Sequence, residues 1–252
     1  MTKEEFFLIL LIWCGLAAVS FVVLLFMPAP YGRHSQKKWG PTINGTLGWF
    51  IMEFPSAITY AWFFFIGNNS TNFFSIMFLV MWEIHYLHRA LIFPLRRRDT
   101  MSPMPLYVVL MGMFFNVINA FLNSYWINEL SSGYPEEWFF DITFIIGISL
   151  FVIGFLINFN ADERLLKLKR EGDRGYKIPK GGFYKYISCP NYFGEIMEWI
   201  GFAIATWSPA ALTFAIWTCA NLVPRALSHH KWYQEYFGEY PKERKAIVPF
   251  IL

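Results

Sequence analysis

Charged residues are scarce in this sequence of 252 residues: 15% are Asp, Glu, Lys or Arg, against about 25% in an average soluble domain. With so few charged residues, a water-soluble globule of this size would lack a polar surface, so the soluble classes are excluded. Polar, acidic and Pro- or Gly/Ser-rich tracts are also missing, which excludes intrinsic disorder and fibrous structure. The little charge that is present must therefore be concentrated in a few segments.

Cysteines are few, and the common nucleotide-binding loops are absent. The three cysteines, Cys14, Cys189 and Cys219, have no CxxC or Cys/His ligand spacing, so we expect free, packed thiols and no metal site. Neither GxGxxG after a strand nor GxxxxGK[ST] occurs, so a nucleotide site in this chain is neither of the Rossmann nor of the P-loop kind. No internal repeat is found, which removes the inverted-repeat signature of secondary transporters.

Long apolar runs are abundant instead, since 56% of the residues are hydrophobic and 21% aromatic. Seven stretches approach the roughly 20 apolar residues that cross a bilayer as a helix. They cover approximately residues 6–27, 47–67, 73–93, 104–123, 139–159, 191–206 and 208–228. The first is too long for a signal peptide, so we expect a retained span. The sequence predicts an all-α integral membrane protein of seven transmembrane helices, forming one domain over 1–252.

Lysine and arginine indicate the orientation, because the basic residues of short loops stay on the cytoplasmic side. All of them except Lys3 and Arg89 fall in segments that seven helices would place on one side, namely 28–46, 94–103, 160–190 and 225–252. The loop 124–138 on the other side carries acidic residues instead. We expect the N-terminus outside and the C-terminus in the cytoplasm. The net charge of +3 reflects this bias and predicts no nucleic-acid partner.

Several polar side chains lie inside the apolar stretches, where an ionisable group costs several kcal/mol unless it is paired or hydrated. Glu53 precedes Pro55 by two residues. Other stretches carry polar residues at helical spacing: His85, His88 and Arg89; Tyr86 and Arg89; Asn158 and Asp162; Asn191, Glu195 and Glu198; and Arg225, His229 and Tyr233. Isolated residues such as Asn116 and Asn119 are interpreted as residues of interhelical hydrogen bonding or packing. Together the stripes predict a polar chamber open to the cytoplasm, suited to a ligand with an anionic end and to an apolar reaction partner.

Longer strings of the sequence resemble the steroid 5α-reductase family, and the resemblance extends over nearly the whole chain. The strings are MEFPS at 52–56, IHYLHR at 84–89, INFNAD at 157–162, YKIPKGGFYKYIS at 176–188, PNYFGEIMEWIGFAIATWS at 190–208, RALSHHKWY at 225–233 and YPKERKAIVPFIL at 240–252. The resemblance implies seven helices, an external N-terminus and NADPH held in the cytoplasmic half.

The activity that the resemblance implies is the NADPH-dependent reduction of the Δ4 double bond of a 3-oxo-Δ4-steroid, with hydride transfer to C5. Glu53 and Tyr86 match the residues that polarise the C3 carbonyl, and Trp199 matches a residue that lines the substrate or the nicotinamide. We expect the steroid to enter from the bilayer and the protein to be a monomer surrounded by membrane lipid. The membrane is the bacterial inner membrane or, in a eukaryote, the endoplasmic reticulum.

The same strings imply a cofactor-binding set: Arg89, Asn158, Asp162, Lys169, Tyr176, Lys177, Asn191, Glu195, Arg225, His229 and Tyr233. Lys169 and Lys177 depart from the family, whose better-known members often have arginine there, so the bidentate phosphate geometry is lost although the charge is kept. The arginines of the loop 96–103 align poorly and are not assigned singly, although they are candidates for the 2′-phosphate.

Three other functions stay open from the sequence. The nearest is another membrane ene-reductase that acts on a sterol double bond or on enoyl-CoA. A membrane methyltransferase that uses S-adenosylmethionine is a second, although such enzymes lack the motifs around Glu53 and Tyr86. A transporter that uses the buried acids and histidines is the third, and the missing repeats and the one-sided distribution of polar residues argue against it.

Overall fold

The computed structural model describes residues 1–27, 40–97, 101–170 and 176–252, except for the side chains of residues 169 and 170. Long helices occupy all seven predicted stretches. They are α1 (Lys3–Phe26), α2 (Gly45–Ile66), α3 (Phe73–Leu87), α5 (Leu106–Tyr125), α6 (Ile142–Arg170), α7 (Pro190–Thr206) and α8 (Pro209–Tyr236). A π-helical turn, His88–Ile92, continues α3 into the short α4 (Phe93–Arg97), and another, Trp126–Leu130, follows α5. The all-α class is confirmed.

Six helical stretches of the described chain are long and apolar enough to cross a membrane: Lys3–Phe26, Gly45–Ile66, Phe73–Arg97, Leu106–Leu130, Ile142–Leu168 and Pro209–Tyr236. The seventh predicted span is α7, which is only 17 residues long and carries the polar stripe of Glu195 and Glu198. A multi-pass membrane protein follows from these helices. The seventh span and the orientation of the termini stay predictions.

Two of the helices are longer than the sequence predicted. The fifth predicted stretch, 139–159, ends too early, because α6 continues to Arg170. Its extension contains Ala161, Leu165 and Leu166, which are strong helix formers. The last helix likewise continues past residue 228 to Tyr236.

Short elements link the helices. Strands β1 (Thr42–Ile43) and β2 (Met104–Pro105) pair antiparallel, with Thr42 opposite Pro105. The 3₁₀-helices Glu136–Phe140 and Gly182–Lys185 lie in loops. The last two helices, α7 and α8, form a hairpin with a very short turn. Trp207 adopts a left-handed conformation with φ of 45°, and Ser208 caps α8 by accepting a hydrogen bond from the Ala211 N–H at 3.3 Å.

The chain divides into two compact units. The terminal unit consists of α1 and the described residues of 145–252, and the central unit consists of the described residues between α1 and Phe144. The prediction of a single domain over the whole chain stays a prediction.

In the central unit, α2 packs against α5 and α3. A Cβ placed on Gly112 of α5 would lie 2.5 Å from the Met52 side chain, so only glycine allows α2 and α5 to approach this closely. On the α3 side, Tyr60 stacks on Trp82 with ring centroids 4.6 Å apart, and Trp82 stacks on Tyr86 at 5.0 Å. These ring contacts set the position of α3 along the axis of α2.

In the terminal unit, α8 packs against α1 and α7, and α6 touches α7 backbone to backbone. A Cβ on Gly154 of α6 would lie 2.4 Å from the Glu198 N atom, and one on Gly194 of α7 would lie 2.5 Å from the Asn158 N atom. Small residues permit such contact between membrane helices. The close approach brings the polar ends of α6 and α7 together.

Candidate active site

Glu53, Tyr86 and Asn116 form a hydrogen-bonded cluster in the central unit, with one residue from each of α2, α3 and α5. The Tyr86 hydroxyl donates to Asn116 Oδ1 at 3.2 Å. Asn116 Nδ2 donates to Glu53 Oε2 at 3.1 Å and to the Met52 carbonyl at 2.8 Å. The structure thus brings together the two residues predicted to polarise a ketone, and Asn116 joins them. We call these three residues the carbonyl cluster.

Packing holds the carbonyl cluster in place. Tyr86 is 3% exposed and Asn116 is 6% exposed, so neither the Tyr86 hydroxyl nor the Asn116 amide has ready access to bulk solvent. The Trp82 and His85 rings lie against the Tyr86 ring, with centroids 5.0 Å away in each case. Buried polar groups with partners are electrostatically stronger than exposed ones. The cluster is therefore a rigid polar group within an apolar surrounding.

Arg89 lies in the π-helical turn of the central unit. Its guanidinium carbon is 5.1 Å from the Trp49 ring centroid and 5.0 Å from that of Phe93. Trp49 Nε1 also donates to the Arg89 carbonyl at 2.9 Å. π-Helical turns are frequent at functional sites, and the two rings orient this cation.

Four of the predicted cofactor residues meet in the terminal unit at the contact of α6 with α7. Asn158 Nδ2 donates to the Asn191 carbonyl at 3.0 Å and to Glu195 Oε2 at 3.3 Å. Asn191 Nδ2 donates to Asp162 Oδ1 at 3.1 Å. The two polar stripes predicted from i, i+4 spacing therefore face each other and form one network.

Two more predicted residues, Arg225 and His229 of α8, contact α7 through Tyr192. Tyr192 is not among the residues predicted from the sequence. Arg225 Nη2 donates to the Tyr192 hydroxyl at 3.2 Å, and the guanidinium carbon lies 5.2 Å from the tyrosine ring centroid. The same hydroxyl is 3.2 Å from His229 Nε2. Tyr192 follows Asn191 directly and so lies off the polar stripe of α7. Only its place in the PNYFGE string marked it.

A cavity of about 610 Å³ opens in the terminal unit and is lined by four cations. Its lining residues are Arg164, Lys167, Leu168, Tyr176, Lys177, Ile178, Lys180 and Phe237. We call it the basic cavity. Tyr176 and Lys177 belong to the predicted cofactor-binding set. Arg164, Lys167 and Lys180 do not, and the sequence uses them only as basic residues that indicate orientation. Its volume lies in the range of ligand pockets, about 300–1,000 Å³.

Arg164 shapes one wall of the basic cavity. Its Nε donates to Asn160 Oδ1 at 2.9 Å and its Nη1 donates to the Lys180 carbonyl at 3.4 Å. Gly181 and Gly182, with φ of 81° and 53°, turn the chain against this guanidinium. A Cβ on Gly181 would lie 2.7 Å from Arg164 Nη1. The glycine pair therefore forms a tight turn beside Arg164.

The remaining predicted residues have different surroundings. The Tyr176 ring packs edge-on against Trp232, with centroids 4.8 Å apart. Tyr233 is buried and stacks on Tyr240 at 5.3 Å. Trp199 is buried with its ring centroid 4.4 Å from that of Phe214. The Lys169 side chain and the arginine at 98 lie outside the described residues.

The loop before α7 is held by the tail that follows α8. Ser188 N donates to the Lys245 carbonyl at 2.8 Å, and Cys189 N donates to the Ala246 carbonyl at 3.1 Å. The Ser188 hydroxyl is 2.6 Å from both His230 Nδ1 and Tyr240 Oη. These contacts connect the YPKERK string to the first turn of α7, which carries Asn191 and Tyr192.

Tyr184 lies in the same loop and is fully buried. Its hydroxyl donates to the Ala161 carbonyl at 3.4 Å. Burial raises the pKa of the Tyr184 phenol well above its usual value, and the nearby Asp162 carboxylate raises this pKa further. The phenol therefore stays protonated and serves as a donor beside the α6–α7 network.

Comparison with known proteins gives one consistent result. The family model described as 3-oxo-5-alpha-steroid 4-dehydrogenase matches residues 102–252. A steroid 5-alpha-reductase of Gossypium hirsutum is 42% identical over 240 residues, which cover 94% of this chain and 93% of that protein. The 3-oxo-5-alpha-steroid 4-dehydrogenase 1 of Bos taurus is 37% identical over 243 residues, covering 95% and 94%. The protein of the same name from Homo sapiens is 38% identical over 224 residues, covering 88% and 85%.

Proposed function

Because this chain belongs to the 3-oxo-5-alpha-steroid 4-dehydrogenase family, we propose that it reduces the Δ4 double bond of a 3-oxo-Δ4-steroid to a 5α-3-oxo-steroid. The observation that carries the proposal is the carbonyl cluster, in which a carboxyl and a phenol meet at a single buried amide. A ketone is the polar group that this pair of donors suits.

The reaction explains why such donors are needed. Reduction adds a hydride at C5 and a proton at C4, and the electrons of the double bond move onto the C3 oxygen in between. Donors fixed where that negative charge develops lower the barrier, because in a site shielded from water they need no reorganisation. In our proposal Tyr86 donates its hydroxyl hydrogen to the C3 oxygen, and Glu53 in its protonated form donates alongside.

NADPH is the proposed cofactor, and when bound it would supply the hydride. The polar side chains of the terminal unit suit a dinucleotide. The amides and acids of the α6–α7 network suit its hydroxyl and amide groups, and the cations suit its phosphates. The residues of this unit that would hold it are Asn158, Asp162, Asn191, Glu195, Arg225, His229 and Tyr233, with Tyr176 and Lys177 at the basic cavity. Lysine and arginine bind phosphates through charge-assisted hydrogen bonds.

The membrane arrangement completes the proposal. We infer seven spans with α7 as the seventh, an external N-terminus and a cytoplasmic C-terminus. A lipophilic steroid reaches the site from the bilayer, and the protein acts as a monomer. The relatives named above are eukaryotic proteins, which favours the endoplasmic reticulum membrane over a bacterial membrane.

The activity is tested on purified full-length protein in detergent or nanodiscs. Testosterone or progesterone is given with NADPH, and the products are identified by mass spectrometry. We expect NADPH oxidation matched by formation of the 5α-reduced steroid. If none of several 3-oxo-Δ4-steroids is reduced, the proposed substrate class is wrong.

Two variants test the roles in the carbonyl cluster. Glu53→Gln and Tyr86→Phe each remove one acidic hydrogen, so we expect kcat to fall about 100-fold or more, as with the loss of an oxyanion donor, while NADPH affinity changes less than about twofold. Stopped-flow turnover and NADPH fluorescence titration measure the two quantities.

Tyr60→Phe is the matched control. Tyr60 lies in the same aromatic stack, and its hydroxyl has no hydrogen-bond partner among the described residues. Turnover of this variant should equal that of the wild type. Full turnover in either Glu53→Gln or Tyr86→Phe would contradict the proposed role of that residue.

A further inference from the structure

We propose that Asn116 is a positioning residue for the reduction, because its amide sets the direction of the Tyr86 hydroxyl and of the Glu53 carboxyl. This inference rests on the proposed function. It arises from the contacts that Asn116 makes: one partner on α3, one carboxyl on α2 and one backbone carbonyl on α2.

The close approach of α2 and α5 puts Asn116 in reach of both partners. Gly112 lies one helical turn before Asn116 on α5, and there the Met52 side chain fills the space of a Cβ. Residues four apart share one face of a helix, so Asn116 meets α2 directly beside Met52 and Glu53. A larger residue at 112 would move the amide away from both.

The Met52 carbonyl determines which way the amide points. A backbone carbonyl only accepts hydrogen bonds, so the atom 2.8 Å from it must be the Asn116 nitrogen. The amide oxygen then faces Tyr86 and only accepts, so the Tyr86 hydroxyl has to donate toward it. The second Nδ2 hydrogen faces Glu53 Oε2. The amide orientation is thus fixed by the backbone of α2.

This fixed amide divides the tasks of the two catalytic residues. Glu53 Oε2 accepts from Asn116, so in the protonated carboxyl the acidic hydrogen is placed on Oε1, and in our proposal this hydrogen is donated to the ketone. The Tyr86 hydroxyl is aligned by Asn116 Oδ1 and turns from it to the C3 oxygen when the ketone arrives. Misplacing a donor by 1 Å can cost about 100-fold in rate, so loss of Asn116 should lower kcat although it need not touch the steroid.

The test compares Asn116→Asp and Asn116→Ala in the full-length protein, with kcat, KM and the pH profile of kcat measured from pH 5 to 9. For Asn116→Ala we expect kcat to fall about 10–100-fold, with NADPH affinity within about twofold of the wild type. Asn116→Asp keeps the shape and the acceptor for Tyr86, but a carboxyl oxygen replaces Nδ2 and faces both the Met52 carbonyl and Glu53. Since a carbonyl only accepts hydrogen bonds, the new carboxyl is favoured in its protonated form. Two carboxyls that share a site titrate together, so the pH profile should move by about one unit or more.

Asn123→Ala is the control, because Asn123 is buried on the same helix and its Nδ2 donates to the Asn119 carbonyl of that helix at 2.9 Å. A merely structural role of Asn116 would lower the folded fraction of its variants but leave the pH profile per folded enzyme unchanged. If Asn116→Ala does not fold, the isosteric Asn116→Asp decides.

Parallel assays of Glu53→Gln and Tyr86→Phe separate this inference from the proposed function. If both lose turnover while the folded Asn116 variants keep the wild-type kcat and pH profile, the role of Asn116 alone is overturned. If Glu53→Gln and Tyr86→Phe keep turnover, the roles proposed for the pair are wrong and the inference falls with them.

Discussion

At the scale of single residues, predicted site residues are connected by hydrogen bonds to residues that have no predicted role of their own. Tyr192 is the example in the terminal unit. Its hydroxyl accepts a hydrogen bond from Arg225 and lies within 3.2 Å of His229. Both of those residues are one turn apart on α8, so a single phenol on α7 fixes the rotamers of two proposed cofactor ligands.

Replacing this phenol should therefore weaken cofactor binding. In Tyr192→Phe the ring stays but the hydrogen bond from Arg225 is lost, and a typical hydrogen bond contributes about 1 kcal/mol. We expect the Kd for NADPH to rise about 3–10-fold, measured by fluorescence titration. The control is Tyr186→Phe, in the exposed part of the preceding loop. Equal Kd values in Tyr192→Phe and in the wild type would contradict the orienting role.

Residue spacing predicted part of this arrangement. The stripes of Asn158 with Asp162 and of Asn191 with Glu195 follow from helical periodicity, and the structure confirms that they meet. The interpretation of Asn116 as an interhelical hydrogen-bonding residue is also confirmed. Its partners could not be predicted, because they depend on how α5 is rotated against α2. Tyr192 was missed for the same reason, since the position of α8 selects its partners.

At the scale of elements, the pairing of α6 with α7 depends on glycines that face each other. Gly147 and Gly154 lie seven residues apart on α6, and Gly194 and Gly201 lie seven apart on α7. Each of the four would place a Cβ within 2.5 Å of a backbone nitrogen on the opposite helix. The sequence shows these glycines, but the register between two helices separated by 19 residues of chain comes from tertiary packing.

The variant Gly194→Ala tests this element. The added methyl would force α7 away from Asn158 and Gly154, and overpacking of this kind costs about 1–3 kcal/mol. We expect a lower Tm in detergent and weaker NADPH binding, because the α6–α7 network is pulled apart. Gly15→Ala on α1 is the control, since a Cβ there meets nothing within 4 Å. An unchanged Tm for Gly194→Ala would rule out backbone contact at this position.

At the scale of the whole molecule, the distribution of charge carries the proposed topology. Six spans are supported by length and composition, and the basic segments are the basis of the proposed orientation. α7 is short and polar for a spanning helix, so its crossing depends on being covered by protein. Burial of Glu198 and Trp199 agrees with such cover. Hydropathy detects spans that face lipid and is least informative for one enclosed by other helices.

The orientation can be tested with protease sites inserted in the full-length protein. One site follows Gly133 in the loop between α5 and α6, and the other follows the last residue of the tail. In sealed vesicles with the cytoplasmic side outward, we expect cleavage at the tail and none at residue 133 until detergent is added. The opposite pattern would reverse the proposed orientation. Cleavage at both sites in sealed vesicles would place both sites on the cytoplasmic side, which requires an even number of spans between them and contradicts the three proposed.

The hydrogen bonds between the loop before α7 and the tail also have a consequence for the order of synthesis. Residues 244–247 leave the ribosome after all seven helices, yet Ser188 and Cys189 need the Lys245 and Ala246 carbonyls to complete their backbone hydrogen bonds. Domains generally fold as they emerge, N-terminal part first. These two hydrogen bonds can therefore form only after α8 and the tail have been synthesised, so the loop before α7 is completed late in the biogenesis of this protein.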